Sequence, residues 1–454
     1  MNYRIGVELS PNGFTVLINN QFHPVVYPQY IWSSFSPALR QSFAETIAFI
    51  TTIHKSYPRT ASITYLFPAP ILESLIYFGL CMTAAENVAD IETKQLRTSD
   101  LLKIIMGSYY KKSFLGPTRP QAADSSTYTP KKNTALLPFS FGKDSLLTFA
   151  LCRDLGLTPI PIFLLEPSNI QENKHKLLLK QKFEREFSVP IHTFSVPLTQ
   201  LRQSRGLSWG WDLLLTQYTL FLIPFLHYFR PNYFFWSNDY NCSTTITDPE
   251  GFRMSFTFDQ TGHWMQTLNT AFSLFGISAQ LGSLVEPLTE LTNTYLLHGY
   301  YPGLAKYHTT CQNESPTKRW CGHCYDCARF FIFLKAFGFD PKTINLTTNM
   351  LTKRKFKKFR LFKTKQQPLD YWRDQFSFYR DEALYAFYLA YKRGVTGFAI
   401  DVFKKDYLAS IQKQKRALFK TYLTPHTDLT VPQDLKPKLQ KIIIPLLAML
   451  RGLD

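Results

Sequence analysis

One stretch near the middle of the chain, residues 136–147, constrains the fold more than any other. The apolar run from Leu136 to Phe139 ends in a small polar turn, and apolar residues resume at Leu146 and Leu147 with helical spacing. This pattern predicts a strand, a tight loop and a helix. Such a loop directs backbone N–H groups and the positive end of the helix dipole at one spot, which suits a phosphate group.

The polar residues of this loop predict a site for a phosphate accompanied by a metal cation. Ser140, Lys143 and Ser145 add donors to those of the backbone. Asp144 would repel a phosphate unless a cation were also bound, so Mg²⁺ bridging pyrophosphate oxygens fits the loop. The alternative is an ordinary strand-to-helix turn rich in small residues. The predicted phosphate-binding set is Ser140, Phe141, Gly142, Lys143, Asp144 and Ser145.

The pattern after Ala135 predicts an α/β fold with a parallel sheet. Residues 160–165 form a near-continuous apolar run, which is typical of a parallel strand buried on both faces. A predicted helix over 174–187 and a short strand over 191–194 follow. This alternation implies right-handed crossovers, and ligands of such sheets collect at the carboxyl ends of the strands.

A second polar segment is predicted to form another wall of the same site. The aromatic strand over 233–236 ends in Ser237, Asn238 and Asp239. Capping of a strand end would account for the same residues, so both interpretations stay open. His263, farther along before a helix, is a candidate catalytic residue, although a lone histidine is more often structural.

Changes in composition predict four regions. Residues 1–115 form an N-terminal α+β region, in which the alternation over 3–27 indicates a hairpin or a small meander. Residues 116–134, with three prolines and few apolar side chains, form a linker. Residues 135–345 form the phosphate-binding domain with a cysteine cluster, and residues 346–454 form a basic helical region.

The charge of the chain favours polyanionic partners. A composition of 45% hydrophobic and 19% charged residues is that of a globular protein, whereas a net charge of +18 indicates nucleic acid, a membrane surface or phosphorylated substrates as partners. Part of the excess lies in the run from Lys353 to Arg360, which continues through Lys363 and Lys365. That run is either a solvated charged face or an anion site.

No segment has the pattern of a signal peptide or of a membrane span. The first residues, Met1 to Glu8, lack an apolar block, so we expect a cytoplasmic protein. The most apolar stretch, residues 213–229, is interrupted by polar residues and predicts one long buried helix over 212–228.

Four of the seven cysteines are clustered with the spacing of metal ligands. Cys321, Cys324 and Cys327 form a C-x2-C-x2-C turn, and Cys311 precedes them by a short loop. In a reducing compartment this pattern predicts structural zinc held by four thiolates. An iron–sulfur cluster is the competing interpretation.

The loop resembles a known nucleotide-binding signature. Residues 140–145, Ser-Phe-Gly-Lys-Asp-Ser, resemble the PP-loop signature Ser-Gly-Gly-x-Asp-Ser of the ATP pyrophosphatases, with Phe141 in place of the first glycine. Those enzymes cleave ATP to AMP and pyrophosphate while they adenylate a carboxylate, an amide or a tRNA base. The resemblance implies an adenine nucleotide α-hydrolase-like domain that binds ATP and Mg²⁺.

Two families combine a PP-loop with a downstream four-cysteine zinc site. One is 7-cyano-7-deazaguanine synthase, whose loop lies almost at the N-terminus. The other is the ATP-dependent UDP-N-acetylmuramoyl-L-alanyl-L-glutamate epimerase family, which has a region before the loop, as this chain does. The chain resembles the second family more closely over roughly 135–339, in segments 237–239, 259–260, 283–291 and 319–324.

The resemblance implies that the chain adenylates the terminal L-glutamate of a UDP-linked muramoyl dipeptide and inverts it, for peptidoglycan precursor synthesis. Lys143 and Asp144 would act on the phosphates, and Asp239, His263 and Glu290 are candidates for the base. Zinc would be structural. The alternatives are an enzyme of 7-deazaguanine or tRNA-base modification and a non-catalytic zinc-stabilised scaffold. The sequence leaves the oligomeric state open.

Overall fold

The computed structural model describes residues 1–90, 96–116, 128–202, 212–311, 315, 317–362 and 377–453. Within them the strands are β1 (Asn2–Ser10), β2 (Gly13–Ile18), β3 (Gln21–Val26), β4 (Ser62–Tyr65), β5 (Lys112–Phe114), β6 (Lys131–Pro138), β7 (Thr158–Leu165), β8 (His192–Ser195), β9 (Pro231–Phe235), β10 (Thr245–Thr247), β11 (Arg253–Ser255) and β12 (Gln280–Gly282).

The helices are α1 (Gln29–Ser34), α2 (Pro37–Thr52), α3 (Glu73–Met82), α4 (Ala84–Asp90), α5 (Thr98–Tyr109), α6 (Lys143–Asp154), α7 (Ile170–Phe187), α8 (Leu198–Arg202), α9 (Leu214–Phe221), α10 (Ile223–Phe229), α11 (Tyr240–Ser243), α12 (Gly262–Leu274), α13 (Glu290–Tyr300), α14 (Pro302–Ala305), α15 (Tyr325–Ala336), α16 (Ser377–Lys392), α17 (Phe398–Asp406), α18 (Leu408–Tyr422) and α19 (Lys436–Ala448).

The central layer is a five-stranded sheet with the order β12-β9-β6-β7-β8, in which every neighbouring pair is parallel. This confirms the predicted α/β class with a parallel sheet. β7 and β8 extend the sheet on one side of β6, and β9 and β12 extend it on the other. The strand order therefore reverses between β6 and β9, and a crevice opens outside the carboxyl ends of strands at such a point.

Both faces of this sheet are buried, as the apolar runs predict. Along β6, Leu137 packs into one core and Leu136 into the other, and in β9 the same alternation separates Phe235 from Phe234. One core contains α6, α7, α13 and α15, whereas the other contains α9, α10 and α12. Side chains that alternate along a strand explain why neighbouring residues enter different cores.

The N-terminal region has a sheet of its own and shares a core with the central sheet. Its strands have the order β3-β2-β1-β4-β5 and include the predicted meander. The Tyr27 ring stacks on Phe194 of β8 with centroids 4.4 Å apart, and its hydroxyl donates to the Phe221 carbonyl at 2.9 Å. Most of the predicted linker over 116–134 lies outside the described residues, but β6 begins at Lys131, so 131–134 belong to the sheet.

The long helix predicted over 212–228 is two helices instead. α9 ends at Phe221 and α10 begins at Ile223, with Pro224 in its first turn. Proline has no N–H to donate, so the hydrogen-bond ladder of α9 cannot run through it. Among the helices in the described part of the chain, none combines the length and the apolar character needed to cross a bilayer.

The C-terminal region consists mainly of helices in its described part. Helices α16 to α19 pack into the core that contains α6, α13 and α15. Tyr385 and Phe387 of α16 are fully buried there. The C-terminal region therefore lies on the same side of the central sheet as α6.

Candidate functional site

The predicted loop lies at the reversal point of the central sheet. β6 ends at Pro138 and α6 begins at Lys143, with Gly142 as the residue before the helix. The loop borders a cavity of about 440 Å³, a volume within the range of small-molecule sites. Asn238 and Asp239, after β9, line the same cavity from the other side. The first amides of α6 have no acceptor within the helix, so they are available to a ligand.

Phe141 belongs to the core and is not one of the described residues that line the cavity. Its ring is fully buried and lies 4.9 Å from the ring of Phe139 and 5.9 Å from that of Phe183, centroid to centroid. Its φ of +60° is in the left-handed region that glycine prefers, which costs a larger residue roughly 1–2 kcal/mol. Burial of the ring, worth about 1.5–3 kcal/mol, can offset that cost.

Lys143 is a buried cation surrounded by carboxylates. Its side chain is 2% exposed, and its Nζ lies 2.6 Å from Asp144, 3.4 Å from Asp239 and 3.8 Å from Glu290. Burial alone would lower the pKa of Lys143, but these three carboxylates outweigh burial and raise it. The ammonium group therefore stays charged at neutral pH.

Two further side chains complete this network. Asn293 donates to the Asp144 carboxylate at 2.8 Å, and Arg329 of α15 pairs with Glu290 at 2.9 Å. Asp144 and Asp239 are the residues of this network that would hold a divalent cation, because carboxylate oxygens are the ligands that Mg²⁺ prefers. Asp144, Asp239, Glu290 and Arg329 all line the cavity.

A buried glutamate from the C-terminal region lies next to this network and contacts the residues that hold Glu290. Glu382 of α16 accepts hydrogen bonds from the Leu291 amide at 2.9 Å and from the Asn241 side chain at 2.6 Å. Burial, together with repulsion from Glu290 and Asp239, raises the pKa of Glu382 to about 8. Burial and the negative charge at this end of the sheet thus both disfavour ionisation of Glu382.

Two residues from segments singled out in the sequence, His263 and Asp259, do not line the cavity in the described part of the chain. His263 is exposed in the first turn of α12 and is not among the described residues that line the cavity. Asp259 accepts from the amides of Leu215 and Thr216 at 2.7 and 3.2 Å, so it stabilises the start of α9. Its neighbour Gln260, in contrast, does line the cavity.

Apolar and aromatic side chains also line the cavity, those of Phe139, Leu164, Tyr218 and Trp236. The Trp236 Nε1 donates to the Thr219 hydroxyl at 2.8 Å, which fixes the indole. Such side chains are typical of small-molecule sites, which combine an apolar lining with a few polar groups.

Several residues of the cavity and of the charged network around Lys143 have no signal in the linear sequence. Arg329, Thr310 and Glu382 come from distant segments that the fold brings together. Asn293 could have been found, because it lies three residues after Glu290 on α13 and so on the same helix face.

The four clustered cysteines converge on one point. Their sulfurs all lie within 4.8 Å of one another. The Cys324–Cys327 sulfur separation is 3.5 Å, and the Cys311–Cys324 and Cys321–Cys327 separations are 3.7 Å. Four thiolates bound at about 2.3 Å to a single tetrahedral ion would lie about 3.8 Å apart. The cluster can therefore hold one metal ion such as zinc, whereas separate irons for each thiolate require a wider spacing.

Backbone N–H groups of the cysteine turn are directed at the cluster sulfurs, as they would be at thiolate ligands. The amides of Cys321, Gly322 and Cys327 donate to cluster sulfurs at 3.3 to 3.4 Å. Gly322 has φ +69°, and a Cβ on it would lie 2.2 Å from the Thr348 hydroxyl oxygen. Only glycine fits this turn without displacing its neighbours.

The cysteine cluster is connected to the cavity by one helix. Cys324 is the residue before α15, and Cys327 lies in its first turn. One turn later, Arg329 and Phe330 of α15 line the cavity. A metal ion that fixes the start of α15 would therefore position Arg329 against Glu290.

A scan of protein-family models, a search of curated proteins and a search of solved structures each found no match to this chain. Its function must therefore be argued from the geometry of the site.

We predict that Cys324→Ser lowers the metal content of the purified protein from one ion per chain to well below half. The variant removes one of four thiolates and leaves an open site. Elemental analysis measures the metal, and Cys81→Ser, at a cysteine outside the cluster, should keep the full content. Full metal content in Cys324→Ser, or a brown wild-type protein with visible absorption, would contradict a zinc site.

We predict that Glu382→Gln changes how stability depends on pH. Glutamate ionises near pH 4.3 in an unfolded chain, whereas the folded protein raises this pKa to about 8. The folded state thus holds the proton more tightly, and the free energy of unfolding of the wild type falls as the pH rises from about 5 to 8. Glutamine does not ionise, so the free energy of unfolding of the variant should lack this decrease with pH.

The measurement is urea unfolding at four pH values between 5 and 8. Between pH 5 and pH 8 the free energy of unfolding of the wild type should fall by more than about 1 kcal/mol relative to that of Glu382→Gln. If the variant weakens the Asn241 hydrogen bond, that loss is the same at every pH and does not affect this change. Glu250→Gln, at an exposed position, should follow the wild type, and a Glu382→Gln curve parallel to the wild type would show that Glu382 is ionised when buried.

Proposed function

We propose that this chain is an ATP-dependent enzyme that transfers AMP to a substrate carboxylate and releases pyrophosphate. One observation carries the proposal: the loop after β6 and the buried Lys143 with its three carboxylates border the same cavity at the reversal point of a parallel sheet. The first amides of α6 can donate to the phosphates, and the apolar side chains of Phe139, Tyr218 and Trp236 that line the cavity can pack against the adenine.

The residues of the loop have distinct roles in this proposal. Ser140, Gly142 and Ser145 bind pyrophosphate oxygens, and Lys143 offsets the charge that develops as the carboxylate attacks the α-phosphate. Asp144 and Asp239 hold Mg²⁺, which neutralises phosphate charge when it is bound. Phe141 contributes only its backbone, so the loss of the first PP-loop glycine leaves these groups in place.

We propose that the acceptor ends in L-glutamate, as in UDP-N-acetylmuramoyl-L-alanyl-L-glutamate. The α-carboxylate attacks the α-phosphate of ATP and displaces pyrophosphate, and the resulting acyl-adenylate has a more acidic neighbouring α-proton. Removal and return of that proton on opposite faces inverts the centre, and water then hydrolyses the acyl-adenylate to the carboxylate and AMP. Asp239 is occupied by Mg²⁺ in this proposal, and Glu290 lines the cavity, so Glu290 is better placed than His263 to act as the base. In this proposal the zinc is structural and the reaction takes place in the cytoplasm, where thiolate ligands stay reduced.

We predict that Asp144→Asn lowers substrate-dependent pyrophosphate release by at least about 100-fold, because it removes a charge from the metal and phosphate site. Pyrophosphate release is measured with ATP, Mg²⁺ and the muramoyl dipeptide. Asp100→Asn, at a site on α5 outside the cavity, should keep wild-type activity. Undiminished release by a folded Asp144→Asn variant would contradict the proposal.

The acceptor is tested separately by running the reaction in D₂O. Inversion through loss of the α-proton should place deuterium on the glutamate α-carbon, and only when ATP is present. Pyrophosphate release without deuterium would retain the adenylating activity and reject epimerisation. If ATP and Mg²⁺ do not bind at all, the non-catalytic scaffold is favoured instead.

Charge distribution favours a second candidate, modification of an RNA base. Residues 346–454 contain 22 Lys and Arg against 9 Asp and Glu, a net +13 out of the +18 of the chain. The exposed Lys353, Arg354, Lys357 and Lys358 form no ion pair with any residue that the structure describes. Lys363 and Lys365, the rest of the predicted run, lie outside the described residues.

This basic run is joined to the cavity by stacked side chains. The Arg360 guanidinium lies 4.8 Å from the Tyr325 ring centroid, and that of Arg329 lies 5.1 Å from the same ring. Arg329 lines the cavity. A polyanion on the run would therefore pass close to the site.

For this candidate we predict that Lys357→Glu/Lys358→Glu lowers tRNA affinity at least about tenfold and reduces the slope of log affinity against log salt by about 2. Filter binding at several salt concentrations measures both. The matched control is Lys131→Glu/Lys132→Glu, two exposed lysines at the other end of β6. Equal losses in the two variants would indicate only non-specific attraction.

A further inference from the structure

Two buried histidines lie behind one wall of the cavity. The Nε2 of His298, on α13, is 3.2 Å from the Nδ1 of His308, and the Nε2 of His308 is 2.9 Å from the Thr310 hydroxyl oxygen. His308 is fully buried, with its ring edge-on to Trp320 and Phe330. The three side chains thus form a chain of hydrogen bonds that runs from α13 to the cavity.

The Thr310 hydroxyl lies beside the phosphate loop. Thr310 lines the cavity, and its Oγ1 is 4.0 Å from the position that a Cβ on Gly142 would occupy. The Ser140 hydroxyl oxygen is 3.2 Å from the same position. Two hydroxyl groups from distant segments therefore flank the Gly142 backbone.

Thr310 is held in this place from two sides. The amide of the preceding Thr309 donates to the Phe141 carbonyl at 2.9 Å. The next residue, Cys311, is one of the four clustered cysteines. The loop and the cysteine cluster therefore both restrain the backbone at Thr310.

The histidine pair can orient the hydroxyl hydrogen of Thr310. A hydrogen bond between two ring nitrogens requires one of them to lack a proton, so at least one imidazole is neutral. Burial lowers the pKa of His298 to about 3, and burial with nearby Lys143 and Arg329 lowers that of His308. A neutral His308 that accepts from His298 at Nδ1 carries its own proton on Nε2 and donates it to Thr310. The threonine hydroxyl is then free to donate into the cavity.

We infer that Thr310 is a phosphate-binding residue of this site and that His308 and His298 position its hydroxyl to donate to a phosphate oxygen of the ligand. The inference rests on the proposed function in one respect only, that the loop after β6 binds a phosphate. It adds a donor outside the loop. It also gives the buried histidines a role in binding rather than in proton transfer.

The test is calorimetric binding of inorganic pyrophosphate with Mg²⁺ to the full-length protein. Thr310→Val keeps the shape of the side chain but removes the hydroxyl, and it should weaken binding about tenfold, as loss of a hydrogen bond to a charged group does. Thr310→Ser restores the hydroxyl and should bind within about threefold of the wild type. The matched control is Thr148→Val, a buried threonine of α6 whose hydroxyl has no hydrogen-bond partner among the described residues, and it should bind like the wild type.

A second variant separates positioning from a structural role. His308→Gln should weaken pyrophosphate binding on its own, but it should add little when Thr310 is already valine, because His308 acts through that hydroxyl. Equal additional losses in the two backgrounds would show that His308 only supports the fold, and would overturn its positioning role.

The outcomes distinguish this inference from the proposed function. If the wild type binds pyrophosphate and Thr310→Val binds equally well, the inference is wrong and the adenylating function stands. If Thr310→Val binds more weakly but no acceptor releases pyrophosphate from ATP, the inference holds and the proposed function fails. If the wild type binds neither pyrophosphate nor ATP, both are wrong.

Discussion

The ammonium group of Lys143 is the interaction on which the rest of the site depends. A buried cation is unfavourable unless opposite charges surround it, and here the carboxylates come from three separate segments. Asp144 follows it in the loop, Asp239 follows β9, and Glu290 begins α13. One buried charge therefore holds the ends of β6, β9 and α13 together, at the edge of the sheet where a ligand can reach them.

The network extends from Lys143 to two other parts of the chain. Arg329 links it to α15, the helix that begins at the cysteine cluster. Glu382 of α16 links it to the C-terminal helices, because it accepts from the Leu291 amide in the first turn of α13. The helix that follows the cysteine cluster and the C-terminal region therefore each contribute a side chain that acts on Glu290 or on the turn that holds it.

Sequence reasoning succeeded where structure depends on neighbours in the chain, and it failed where distant segments decide. The strand, loop and helix around residue 140 and the convergence of the cysteines followed from local spacing. The break between α9 and α10 was also local, since Pro224 is visible in the sequence, but its apolar surroundings suggested one helix. His263, a candidate base, is exposed on α12 and is not among the described residues that line the cavity, whereas Asp259, in a segment that resembles the epimerase family, caps α9.

The sequence by itself determined the α/β class, the strand, loop and helix around residue 140 and the four-cysteine cluster, since each is encoded by the order and spacing of residues a few positions apart. Only the tertiary structure decided which polar groups surround Lys143, that the Phe141 ring faces the core, and that Thr310 with its histidines stands beside Gly142. Those contacts join residues far apart in the chain. Their formation depends on strand order and helix packing, which leave no periodic trace in the sequence.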